Sequence, residues 1–194
     1  FSFTAFGSRR GPTLLSANAV LLQFFTLVSY VMDGFAYAGE SVGGHLVGAG
    51  SVERFRRLVG ALFLWGTGLS LLFALAYALG GTALIALFTD DVAVRRAAET
   101  FLPYAVAIPP ISMAGFLLDG LFVGTTATSG MLIGVAAAAA GFFTVHTLLP
   151  ATLGNHALWI AFLTYLALRG IVQGLQLPGI VRRSFALTAQ TARR

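Results

Sequence analysis

The chain has no cysteine and no lysine. The first absence excludes a disulfide framework and thiol chemistry. The second leaves arginine as the whole of its positive charge, twelve residues against seven acids. Charge of either sign is scarce, at 10% of the residues, where a soluble domain carries about 25%. No metal-ligand spacing, phosphate-binding loop, dinucleotide fingerprint or nucleophile elbow is present. A protein that is not an enzyme is expected, without cofactor or metal. No basic segment precedes Phe1-Ser2-Phe3-Thr4, so no cleavable signal peptide is expected. An initiating methionine is also missing, and the chain is expected to begin inside a longer protein.

What is there is hydrocarbon. Hydrophobic residues make up 57% of the 194, and the mean hydropathy is +0.86. Apolar runs of about 20 residues recur, the length that crosses a bilayer as a helix. The fold class is therefore all-α, a polytopic membrane helix bundle. Spans are expected over residues 13–47, 58–79, 92–124, 131–149 and 156–177. Residues 1–7 read as the remnant of a preceding span. Together these make a transmembrane unit over residues 1–181, followed by a basic tail over residues 182–194. Gly80-Gly81 is expected to break the second span, with a short interfacial helix after it. Pro178-Gly179 is expected to end or interrupt the last. Pro103, Pro109 and Pro110 should kink or locally unwind the third. Asp90 and Asp91 suit its start, beside the positive end of the helix dipole.

The arginines sit at the ends of the apolar runs, which fits anchoring at a membrane surface and gives no face for nucleic acid. Seven of them fall on one side: Arg54, Arg56, Arg57, Arg182, Arg183, Arg193 and Arg194. Arg9, Arg10, Arg95 and Arg96 fall on the other. The richer side is expected to be cytoplasmic.

Three carboxylates interrupt the hydrocarbon. Asp33, Tyr37 and Glu40 fall at i, i+4 and i+7 of the first long run, one face of a helix. Extended backwards, that face reaches Ser29, Thr26 and Asn18. It predicts a polar stripe turned away from lipid and towards the interior of the bundle. Asp119 stands alone in a later run. An ionisable group at such depth costs roughly 3 kcal/mol on insertion scales and usually faces a bundle interior or a wet cavity. Each acid is either a hydrogen-bonding group between helices or part of a path for solute or protons. Arg169 lies within the last span and either snorkels or pairs with a buried acid. His45 is expected at the membrane edge, and His146 and His156 at the surface.

Several stretches resemble the multidrug and toxic compound extrusion (MATE) family, within it the DinF branch. They are Leu15-Ser16-Ala17-Asn18-Ala19-Val20-Leu21-Leu22-Gln23, Met32-Asp33-Gly34-Phe35-Ala36-Tyr37-Ala38-Gly39-Glu40 and Phe116-Leu117-Leu118-Asp119-Gly120-Leu121-Phe122-Val123-Gly124. Gly154-Asn155-His156-Ala157-Leu158-Trp159 and Leu166-Ala167-Leu168-Arg169-Gly170 add support near the end. Such transporters have twelve helices in two lobes of six around a central cavity. The resemblance implies the C-terminal lobe, with its first helix truncated and the N-terminal lobe missing. It implies export of cationic or amphiphilic small molecules from a bacterial inner membrane, driven by protons or sodium. It also implies coupling roles for Asp119, Asp33 and Glu40. One departure is at Met131, where Leu132-Ile133 replaces the basic residue usual after it. The bundle alone also fits a membrane scaffold that transports nothing.

Overall fold

The computed structural model describes residues 11–191, with side chains to Thr188. The expected remnant over residues 1–7 lies outside the described residues, as do Arg9, Arg10, Arg193 and Arg194. Among the described residues the chain is five long helices and one helical turn. They are α1 (Pro12–Gly48), α2 (Val52–Phe88), α3 (Val92–Gly124), α4 (Thr128–Leu148) and α5 (Asn155–Thr191), with a 3₁₀ turn at Ala151–Leu153. All five are long and apolar enough to cross a membrane. α1, α2 and α5 each have 37 residues, about 55 Å of helix. A hydrocarbon core is about 30 Å thick, so these three either tilt or project. α4, with 21 residues, fits the core almost without excess.

Local chemistry explains the ends. Pro12 opens α1 in the first turn, where its missing N–H costs nothing. Gly50 closes it at φ +65°, with Ser51 N donating to Leu46 O and Gly50 N to Val47 O. That pair of bonds is the Schellman arrangement. Asp91 caps α3, its carboxylate accepting from Ala93 N at 2.7 Å and Val94 N at 3.2 Å. Arg95 then reaches back to α2, donating to Thr89 O at 2.7 Å and Ala86 O at 3.2 Å. Two orphan carbonyls at the end of α2 are satisfied in this way.

α3 is the central helix. It packs against all four others and is the most buried of the five. α1 crosses it at very close range, on small residues. A Cβ on Gly120 would collide with the carbonyl of Ala36, and one on Gly124 with the carbonyl of Glu40. Gly44 returns the fit, its would-be Cβ only 3.0 Å from Gly124 O. In lipid there is little hydrophobic drive between helices, and small residues at i, i+4 let backbones approach. Tyr77 ties α2 to α1 by donating to Phe24 O at 2.8 Å, while its ring meets the Phe24 ring edge-on at 4.7 Å.

Two breaks expected from glycine and proline are absent here. Gly80-Gly81 does not break α2, which runs unbroken to Phe88 and carries the expected interfacial segment as its last turns. Gly81 instead admits Leu102 of α3, whose Cδ1 lies 2.7 Å from where a Cβ would stand. The helix does not stop at residue 177. α5 passes through Pro178 to Thr191, so residues 182–191 continue it. Pro178 removes one helical hydrogen bond, and packing beyond it offsets that loss. Phe185 is buried, its ring meeting Phe55 edge-on at 5.6 Å. α3 likewise stays helical through Pro103, Pro109 and Pro110, with no unwound turn.

Candidate functional site

Asp119 lies five residues before the end of α3, about 7.5 Å of helix rise. Its side chain is 14% exposed. One carboxylate oxygen, Oδ2, forms an ion pair with Arg169 of α5, whose side chain is 18% exposed. The other, Oδ1, accepts from Gln173 Nε2 at 2.6 Å. Arg169 and Gln173 stand at i and i+4, so one face of α5 presents both donors together. Glycines make the room. Gly115 lets the Arg169 stem lie against α3, at 3.4 Å from a would-be Cβ, and Gly134 of α4 lets Gln173 in at 2.8 Å. The Arg169 guanidinium also sits over the Phe116 ring, 5.4 Å from its centre, a favourable contact for a desolvated cation.

Asp33 is close enough to Arg169 to act on it electrostatically. Asp119 holds it by direct contact, and Asp33 acts from α1. Two buried atoms nearby make no hydrogen bond among the described residues, Arg169 Nε and Gln173 Oε1. The centre therefore retains a spare donor and a spare acceptor. Among the described residues no group of three or more metal-ligating side chains occurs.

The stripe on α1 is not where its spacing predicts. Tyr37 does not face the interior. It is 69% exposed, and Tyr30, two turns earlier, is 73% exposed. Asp33 and Glu40 are half-buried. The packed face of α1 runs through Ala17, Leu21, Phe24, Val28, Met32, Gly39 and Gly43. Asp33 follows Met32 and Glu40 follows Gly39, each about 100° round the helix. The stripe thus flanks the core, and the spacing of its members fixed their shared face without fixing its direction.

Asn18 belongs to a different place. It lies 15 residues from Asp33 on the same helix, about 22 Å along the axis. There it exchanges two amide hydrogen bonds with Asn155, at 2.9 and 2.8 Å, and accepts from Trp159 Nε1 at 3.0 Å. All three residues are buried. This cluster clamps α1 to the start of α5 and does not join the acids. His156, expected at the surface, is half-buried beside it, 3.0 Å from Tyr104 Oη and against the Phe101 ring. His146 is also half-buried, stacked on Phe142. His45 is exposed in the last turn of α1. Gln173 escaped the sequence reading. Its one signal is the i, i+4 relation to Arg169.

Comparison with known proteins gives a consistent picture. The MatE family model matches residues 1–149. DNA damage-inducible protein F of Escherichia coli K12 is 38% identical over 182 residues, 94% of this chain and 39% of that protein. Protein DETOXIFICATION 42 of Arabidopsis thaliana is 28% identical over 173 residues, 85% of this chain and 32% of that protein. Probable multidrug resistance protein NorM of Xanthomonas axonopodis is 33% identical over 97 residues, 50% of this chain and 21% of that protein. The chain therefore spans two fifths or less of the length of these relatives. No solved structure gives a significant match. With five apolar helices in the order described and a family match over three quarters of its length, the chain belongs to the MatE family of multi-pass membrane proteins.

Proposed function

We propose that the chain is the C-terminal lobe of a secondary transporter, which exports cationic or amphiphilic compounds across a bacterial inner membrane in exchange for a cation. A proton is the coupling ion favoured over sodium. The lobe works with an N-terminal lobe of the same fold, and the half-exposed flank of α1 faces the path between them. The observation that carries this proposal is the placement of Asp119, Arg169 and Gln173 at the junction of α3 and α5, with Asp33 on the adjoining flank of α1. A scaffold needs no ionised centre within its span, where such groups are costly.

In this mechanism Asp119 and Arg169 form a neutral, hydrogen-bonded unit. Asp33 and Glu40 make no ion pair among the described residues. A proton on either acid cancels the negative charge that a cationic substrate would meet. Its departure restores that charge. Substrate and proton then compete for one site, which is the condition for exchange. The exposed Tyr30 and Tyr37 rings on the same flank offer faces to an amphiphilic cation.

The test is efflux of a cationic dye by the full-length protein in liposomes, driven by an imposed pH gradient. The expected result is gradient-dependent export that Asp33→Asn and Glu40→Gln strongly reduce. Export with no dependence on the gradient would remove proton coupling. No export under any gradient would leave the scaffold reading.

A further inference from the structure

At the end of the bundle where α1 closes and α2 opens, a cleft of about 310 Å³ lies between α2 and α5. Phe55, Arg56 and Val59 line it from α2, and Leu177, Val181 and Arg182 from α5. We propose that this cleft holds an anionic phospholipid, with its phosphate between Arg56 and Arg182 and the start of its acyl chains on Val59 and Leu177.

The order of residues along the two helices supports this. α2 enters the bundle from this end, so Arg56 is outermost and Val59 deeper. α5 leaves the bundle here, so Leu177 is deeper and Arg182 outermost. The cleft thus passes from apolar to basic in the same direction on both walls. Its depth follows from α4, whose 21 residues match the hydrocarbon thickness. Gly130, near the first turn of α4, packs against Gln176 and Ile180 of α5. Leu177 to Val181 therefore lie level with the end of a span, at the boundary between acyl chains and headgroups.

Charge points to a net negative headgroup. Arg54, Arg56, Arg57, Arg182 and Arg183 are all exposed at this end. Glu53 beside them is already engaged with Arg57 at 3.5 Å. No acid lines the cleft. The first turn of α2 also points its positive dipole end here, and Ser51 places no side-chain cap on it. The Phe55–Phe185 ring contact joins α5 to α2 beside the cleft, beyond Pro178. A soluble phosphate would use the arginines and leave the apolar half empty, so the lipid is the better fit. This inference does not depend on proton coupling.

The test is native mass spectrometry of the full-length protein after equilibration in nanodiscs of equal phosphatidylglycerol and phosphatidylcholine. Retained phosphatidylglycerol should exceed phosphatidylcholine by about thirtyfold, given two arginines at the headgroup level. Arg56→Gln with Arg182→Gln should abolish that excess, and Arg54→Gln with Arg57→Gln should keep most of it. Equal retention of both lipids by the parent protein overturns the proposal, whether or not the double variant folds. Displacement of the lipid by millimolar glycerol phosphate would replace it with a soluble ligand.

Discussion

Asp119 uses both carboxylate oxygens on α5, one for Arg169 and one for Gln173. Asp119→Asn would keep the shape but strand the Arg169 charge in a mostly buried place. Breaking a buried pair from one side costs on the order of 3 kcal/mol. The single variant should therefore lose thermal stability in detergent, and Asp119→Asn with Arg169→Gln should recover most of it. Equal melting of both variants would show that the pair carries little energy. A lone acid and a lone arginine were legible in the sequence, because a charge in a hydrocarbon run stands out. Their pairing was not, since it depends on the register of two helices whose residues lie 50 positions apart. Gln173 was invisible because a neutral amide leaves little mark on hydropathy. Tyr37 was misplaced because a three-residue stripe fixes a shared face without fixing its direction. That direction is set by Gly39 and Gly43, which the close α1–α3 crossing buries.

At the scale of the helix, glycine and proline carry meanings that composition alone does not separate. Gly80-Gly81 looked like a break and serves as a landing for Leu102. Pro178 looked like a stop and is carried through by the docking of Phe185. In both cases the tertiary contact overrode the local preference. The Gly120 and Gly124 surface gives a direct test. Gly120→Ala should force α1 and α3 apart, at a cost of about 1–3 kcal/mol or more from overpacking. Gly34→Ala, on the partner helix α1 but with open space around it, should be tolerated. Folding yield in detergent distinguishes them, and equal yields would contradict the close crossing.

The whole molecule was the most legible level. Long apolar runs gave the number and order of the helices within the described residues, since a bilayer permits few other ways to satisfy a backbone. Their ends were less legible, because α2 and α5 are longer than the hydrocarbon is thick and polar residues at their ends can still be helical. The arginine bias predicts an orientation with residues 51–57 cytoplasmic. A cysteine at Ser51 should be shielded from an impermeant thiol reagent in intact cells, and one at Val92 should react. The opposite pattern would invert the lobe. In the proposed function the Asp119–Arg169 pair is the charged centre beside which Asp33 and Glu40 exchange a proton. The most direct measurement is proton-driven dye efflux by the full-length protein carrying Asp119→Asn with Arg169→Gln, in which the charge balance is kept. The double variant should insert and melt like the parent yet show no efflux coupled to the gradient. Efflux equal to the parent at every external pH would contradict that role and leave the pair as a structural tie between α3 and α5.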